Sequence, residues 1–149
     1  MIAITIGGAL YPPLERFAGK YIVDKANASE MSASLIYVIA SISMAIPATG
    51  SNSLIYILFS FVLVEVCVGL FMPVSGTLRS KYVPDSLHGA ILNIFRLPLN
   101  AVVVGGTYAS DVMEPAQVFT MVSVWFMAAA ILQFTLVSKG EKLKTDKKD

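Results

Sequence analysis

Five apolar runs, separated by short polar patches, constrain this chain more than any other feature of its 149 residues. They cover about 1–14, 31–49, 53–78, 86–110 and 116–138. A helix rises ~1.5 Å per residue, so about 20 residues cross a ~30 Å hydrocarbon core. The last four runs reach or approach that length, and the first is too short for a full span. Water is absent at that depth, so every backbone amide must be satisfied within its own segment, which selects helices. Only 14% of the residues are charged and 56% are hydrophobic, whereas a soluble domain carries about a quarter charged residues. The expected class is an all-α integral membrane protein with about five transmembrane segments, the first truncated.

Local signals place the boundaries. Pro12 and Pro13 kink or end the first segment. Ser29 is the expected N-cap of the second, with Glu30 in a first turn favoured by the helix dipole. Gly50 to Ser53 form a tight uncharged turn. Pro84 closes a short polar hinge, Leu78 to Asp85, that contains Arg79 and Lys81. Pro115 suits the first turn of the last helix. The lysine-rich tail 139–149 is expected to be disordered.

Orientation follows from charge. If every segment crosses, alternate connections share a side of the membrane. The segment with Arg16, Lys20 and Lys25, the hinge and the tail together hold ten of the 11 basic residues. The two opposite turns hold none. The positive-inside rule therefore assigns the basic segments and the C-terminus to the cytosol.

Two charges fall outside this pattern. Glu65 and Arg96 each sit inside a long apolar run, and ionisable residues at such depth mark pathways or proton relays by default. The two helices run antiparallel with a short connection, so a direct pair is possible. It is either a fixed salt bridge pinning two helices or part of a polar cavity. Asn93 and Asn100 lie three residues before and four after Arg96, placing all three on one helical face. The planar guanidinium suits bidentate binding of an oxyanion. Gly69, Pro73 and Pro98 are places where these helices can bend, and broken helices near a midplane site occur in transporters.

Metal and cofactor chemistry finds no foothold. One histidine and one cysteine cannot assemble a zinc or haem constellation, and no nucleotide-binding glycine loop, lipase elbow or HExxH is present. Cys67 excludes an intrachain disulfide and reads as a small buried hydrophobe. No enzyme in the bond-breaking sense is expected, nor a nucleic-acid partner.

Three strings carry a family resemblance: Glu65-x-x-x-Gly69-x-Phe71-x-Pro73, Leu78-Arg79-Ser80-Lys81-x-Val83-Pro84, and Asn93-x-Phe95-Arg96-x-Pro98-Leu99. Together they resemble the molybdate-anion transporters of the major facilitator superfamily, where these elements lie in the tenth and eleventh of twelve helices. The resemblance implies the C-terminal part of a twelve-helix bundle, helices eight to twelve, and secondary transport of a small oxyanion. Its partners would be the lipid bilayer, a small anionic substrate and the missing N-terminal helices, in the plasma membrane by default. Without those helices the chain is not expected to transport alone. Glu65 would hold Arg96 in the empty state and yield it to the anion. Two other readings remain open: a transporter of the same superfamily for a sugar or organic anion, and a non-transporting membrane scaffold in which Glu65 and Arg96 are structural.

Overall fold

The computed structural model describes residues 1–21, 27–50 and 53–145. Among these the chain is helical, with α1 Ile2–Tyr21, α2 Ala28–Ala48, α3 Leu54–Tyr82, a 3₁₀ turn Asp85–Leu87, α4 His88–Val112 and α5 Pro115–Thr145. Four of the described helices, α2 to α5, are long and apolar enough to cross a membrane. The fold is that of an all-α membrane protein.

Several boundaries differ from the expected ones. α1 runs on to Tyr21 through Pro12 and Pro13, so the proline pair does not end it. Proline removes one amide donor, and the remaining turns still propagate. α2 begins at Ala28, and its N-cap position is Asn27, which makes no side-chain cap bond. Ser29 lies within the helix and gives its hydroxyl proton to Glu15 Oε1, 2.8 Å away, so a tertiary bond takes the place of the expected cap. α3 extends to Tyr82, which moves Arg79 and Lys81 out of the hinge and into a last turn where the dipole favours cations. It stops at Val83, extended at φ −110 and ψ 117, because the residue before a proline is pushed out of the helical region. The hinge itself is Val83 to Leu87, with the Leu87 amide donating to the Pro84 carbonyl at 3.0 Å. α5 continues into the lysine-rich segment as far as Thr145, because an established helix adds residues such as Lys and Glu at little cost. Residues 146–149 lie outside the described residues. Gly50 turns the chain after α2 with φ +68, a conformation that glycine adopts without strain.

α2 is the centre of the bundle. One side packs against α5 and another against α3, while α1 lies along α3 and touches α2. The α2–α5 pair is antiparallel. Ser34 donates to the Ala130 carbonyl at 3.2 Å, and seven residues on Ser41 donates to the Ser123 carbonyl at 2.8 Å. Ser123 returns a bond to the Ser41 carbonyl, also at 2.8 Å. Bilayer lipid is as apolar as leucine, so close packing and such bonds hold membrane helices together. On its α3 side α2 offers Ala33, Ile36 and Ala40, buried against Cys67, Leu70 and Val74.

α1 and α3 run parallel and cross closely. A Cβ placed on Gly7 would fall 3.0 Å from the Gly69 Cα and nearer still to the Val66 carbonyl oxygen. One on Gly69 would meet the Ile4 backbone in the same way. The two glycines are therefore the contact surface. α4 stands apart, packing only lightly on the rest. Large apolar residues such as Phe59 on α3, Val104 on α4 and Leu132 on α5 point outward, as lipid-facing residues do.

Candidate functional site

Asn93, Arg96 and Asn100 lie on α4. All three are exposed, and none of the ion pairs among the described residues involves Arg96. Counting from His88, Arg96 lies roughly 12 Å along the helix at ~1.5 Å per residue. That is well inside a hydrocarbon core of ~30 Å.

Glu65 lies on α3 with its side chain 49% exposed, and its Oε2 is 3.6 Å from the Met1 amino group. The structure does not join it to Arg96. Because α4 does not pack along α3 in this chain, the exchange of Arg96 between Glu65 and an anion has no direct contact to start from. Position in sequence placed both charges at similar depth, but depth alone does not set which helix faces which.

The expected bending points prove to be different kinds of position. Gly69 is buried at the α1 crossing. Pro73 lies inside α3 and Pro98 inside α4, and both helices run through them. The Pro73 carbonyl accepts a bond from the Thr77 hydroxyl at 3.1 Å. Arg79 is exposed and donates through Nε to the Ser75 carbonyl at 3.2 Å. Pro84 follows α3 as expected. Lys81 and its neighbour Tyr82 reach across the bundle to α2.

Their partner is a residue that sequence reasoning gave only a helix-end role. Glu30 is 1% exposed, and its Oε1 accepts from both Lys81 Nζ and Tyr82 OH at the end of α3. Beside it, Glu15 Oε1 accepts from Tyr11 OH and Ser29 Oγ, each at 2.8 Å. Tyr11 also lies 3.3 Å from the Thr77 hydroxyl. Two carboxylates thus tie the ends of α1, α2 and α3 together at the basic end of the bundle. The sequence did contain a signal. Alternating crossings place Glu15, Glu30 and Lys81 at one membrane face, where opposite charges within reach will pair.

A cavity of about 140 Å³ lies between α2, α3 and α5. Ile36, Tyr37, Val64, Cys67, Phe71 and Phe126 line it, with the Tyr37 ring 5.5 Å from that of Phe71. The lining is uncharged and largely apolar, which does not suit a charged oxyanion.

Comparison with known proteins finds a local likeness. Over 43 residues, 29% of this chain, the sequence is 42% identical to a molybdate-anion transporter of Xenopus tropicalis. The matched stretch is 10% of that relative's length. No family model and no solved structure matches. The likeness is local, and it accompanies four described helices long and apolar enough to cross a membrane.

Proposed function

We propose that this chain forms part of a secondary transporter for a small inorganic oxyanion, with molybdate the first candidate, within the major facilitator superfamily. The observation that carries the reading is the local identity to a molybdate-anion transporter. The chemistry of α4 supports it. A doubly charged oxyanion in a low-dielectric cavity needs fixed positive charge and donors, and Arg96 with Asn93 and Asn100 supplies both from one face. Glu65 would be a second charged position on the pathway, acting from α3 without touching Arg96 in this chain.

An arginine facing lipid at that depth is costly, so the polar face of α4 needs cover. Further helices, in cis or in trans, would provide it and complete the cavity, as facilitator folds place substrate between two repeats. Gly69, Pro73 and Pro98 would serve the rocking of these helices, with Arg79, Lys81 and Pro84 at the cytosolic hinge. The basic ends of the bundle would face the cytosol, with the C-terminus, and the plasma membrane is the default location. The protein would move its solute rather than transform it.

Uptake of labelled molybdate by cells expressing the chain joined to its remaining helices tests this reading. Arg96→Lys keeps the charge but loses the planar fork. Losing a charge-assisted hydrogen bond costs ~1.5–3 kcal/mol, which lowers apparent affinity about 10- to 150-fold at matched surface expression. Molybdate uptake unchanged by Arg96→Lys removes Arg96 from the site. Transport of a sugar or organic anion in preference to molybdate assigns the protein to another solute of the same superfamily.

A further inference from the structure

The apolar cavity among α2, α3 and α5 carries an inference that goes beyond transport. We propose that it is an intramembrane seat for the end of one lipid acyl chain, which enters beside Val68 and packs against Cys67, Phe71 and Phe126.

The cavity exists because α3 and α5 both pack on α2 and scarcely touch each other. α2 forms the floor with Ile36, Tyr37 and Ala40. α3 forms one wall and Phe126 of α5 the other. Toward the end where α3 and α5 begin, the Phe61 and Phe119 rings meet edge to face at 5.7 Å and bridge the two walls. Tyr37 stands between the walls, 5.5 Å from the Phe71 ring and 6.5 Å from the Phe126 ring. Glu65, three residues before Val68, is turned to the Met1 amino group and is not part of the lining.

Depth decides what fills the space. Tyr37 and Ala40 lie near the middle of the 21-residue α2. Val68 lies roughly 21 Å from the start of α3 at ~1.5 Å per residue. Both place the cavity near the midplane of a ~30 Å hydrocarbon core. Val68 is 38% exposed, whereas Cys67 beside it is only 4% exposed. The cavity therefore opens at Val68 and is continuous there with the outward-facing apolar surface of α3, which also presents Phe61 and Met72.

Water does not suit the site, because a buried water needs polar partners and the lining is uncharged and largely apolar. A headgroup lies too far from the midplane. The solvent at this depth is acyl chain, and an unfilled apolar void forfeits the dispersion contacts of its lining. The volume of about 140 Å³ is close to the ~150 Å³ that holds a benzene molecule, so about six carbons of a chain fill it. Seated there, the chain gives α3 and α5 the contacts they do not give each other, and lipid takes part in setting their spacing.

The test uses the 149-residue chain in bilayers containing a phosphatidylcholine with a photoactivated diazirine at the end of one acyl chain. Illumination, proteolysis and mass spectrometry then locate the label. Cys67 is expected to be labelled although it is buried from the outside, and the same lipid with its diazirine beside the glycerol should label it several-fold less. Val68→Trp, at an exposed position, narrows the mouth. It should lower the label at Cys67 several-fold and leave that at the outward-facing Leu132 unchanged. A second readout needs no variant: a nuclear Overhauser effect is expected between the chain-terminal methyl of the lipid and the methyls of Ile36, which is buried on the cavity floor. No label at Cys67, equal label from the two lipids, label that survives Val68→Trp, or no effect at Ile36 overturns the seat. The chain joined to its remaining helices must show the same label, and its loss there gives the mouth to a protein helix and overturns the proposal.

Discussion

Gly69→Ala in α3 should pry α1 from α3. The added Cβ would stand 2.8 Å from the Ile4 carbonyl carbon and 3.0 Å from its Cα, with the carbonyl oxygen nearer still. Carbon atoms in contact sit at about 3.5–4.0 Å, so the helices must part by roughly 0.5–1 Å, which forfeits a quarter to a half of each dispersion contact along the crossing. Nothing at the site can yield locally, because every obstructing atom is backbone. Overpacking of this kind costs about 1–3 kcal/mol. Gly76, in the same helix with nothing within 4 Å of its would-be Cβ, supplies the control. Denaturation in mixed micelles with increasing SDS is the suitable assay, because helices persist in the detergent and the measurement reads their separation. Gly69→Ala should lose about 1–3 kcal/mol while Gly76→Ala stays within about 0.5 kcal/mol of the wild type. Equal stability of the two variants would refute the close crossing. It would also return Gly69 to the role of a bending point.

The serine exchange between α2 and α5 consists of two hydroxyls, each donated to the other helix's backbone carbonyl. Ser41→Ala and Ser123→Ala should each cost about 0.6–1.7 kcal/mol in the same assay, and unchanged stability of either variant would argue against its bond. Topology is open to direct labelling. A tag following Asp149 should be reached only after permeabilisation, and a cysteine replacing Ser51 should react with an impermeant thiol reagent from outside. The reverse accessibility would invert the assigned orientation. In uptake assays, Asn93→Leu and Asn100→Leu should each weaken molybdate uptake at matched expression by less than Arg96→Lys, since each removes a neutral donor worth about 0.5–1.5 kcal/mol. A loss at either position exceeding that of Arg96→Lys would shift the weight of the site away from the guanidinium.

The linear sequence determined the class, the number of apolar segments and the end of the bundle at which charge collects. These depend on local quantities: length against bilayer thickness, the price of an unpaired amide in hydrocarbon, and the placement of basic residues. Pro84 stopping α3 at Val83 and Pro115 opening α5 were legible for the same reason, since proline acts on its own backbone and that of its neighbour. Which faces meet was not legible. α3 has apolar residues all round, so its periodicity could not show that Gly69 meets Ile4 and Gly7, or that Val74 turns fully inward. Glu65 and Arg96 stood out because apolar neighbours surround them in sequence, yet packing leaves both partly or wholly exposed and apart. Glu30 looked like an ordinary first-turn carboxylate, and only the tertiary structure buries it beneath Lys81 and Tyr82. Burial of a side chain is a property of residues far away in the chain. Hydropathy sets where a segment lies in the membrane, and only packing sets what each of its side chains touches.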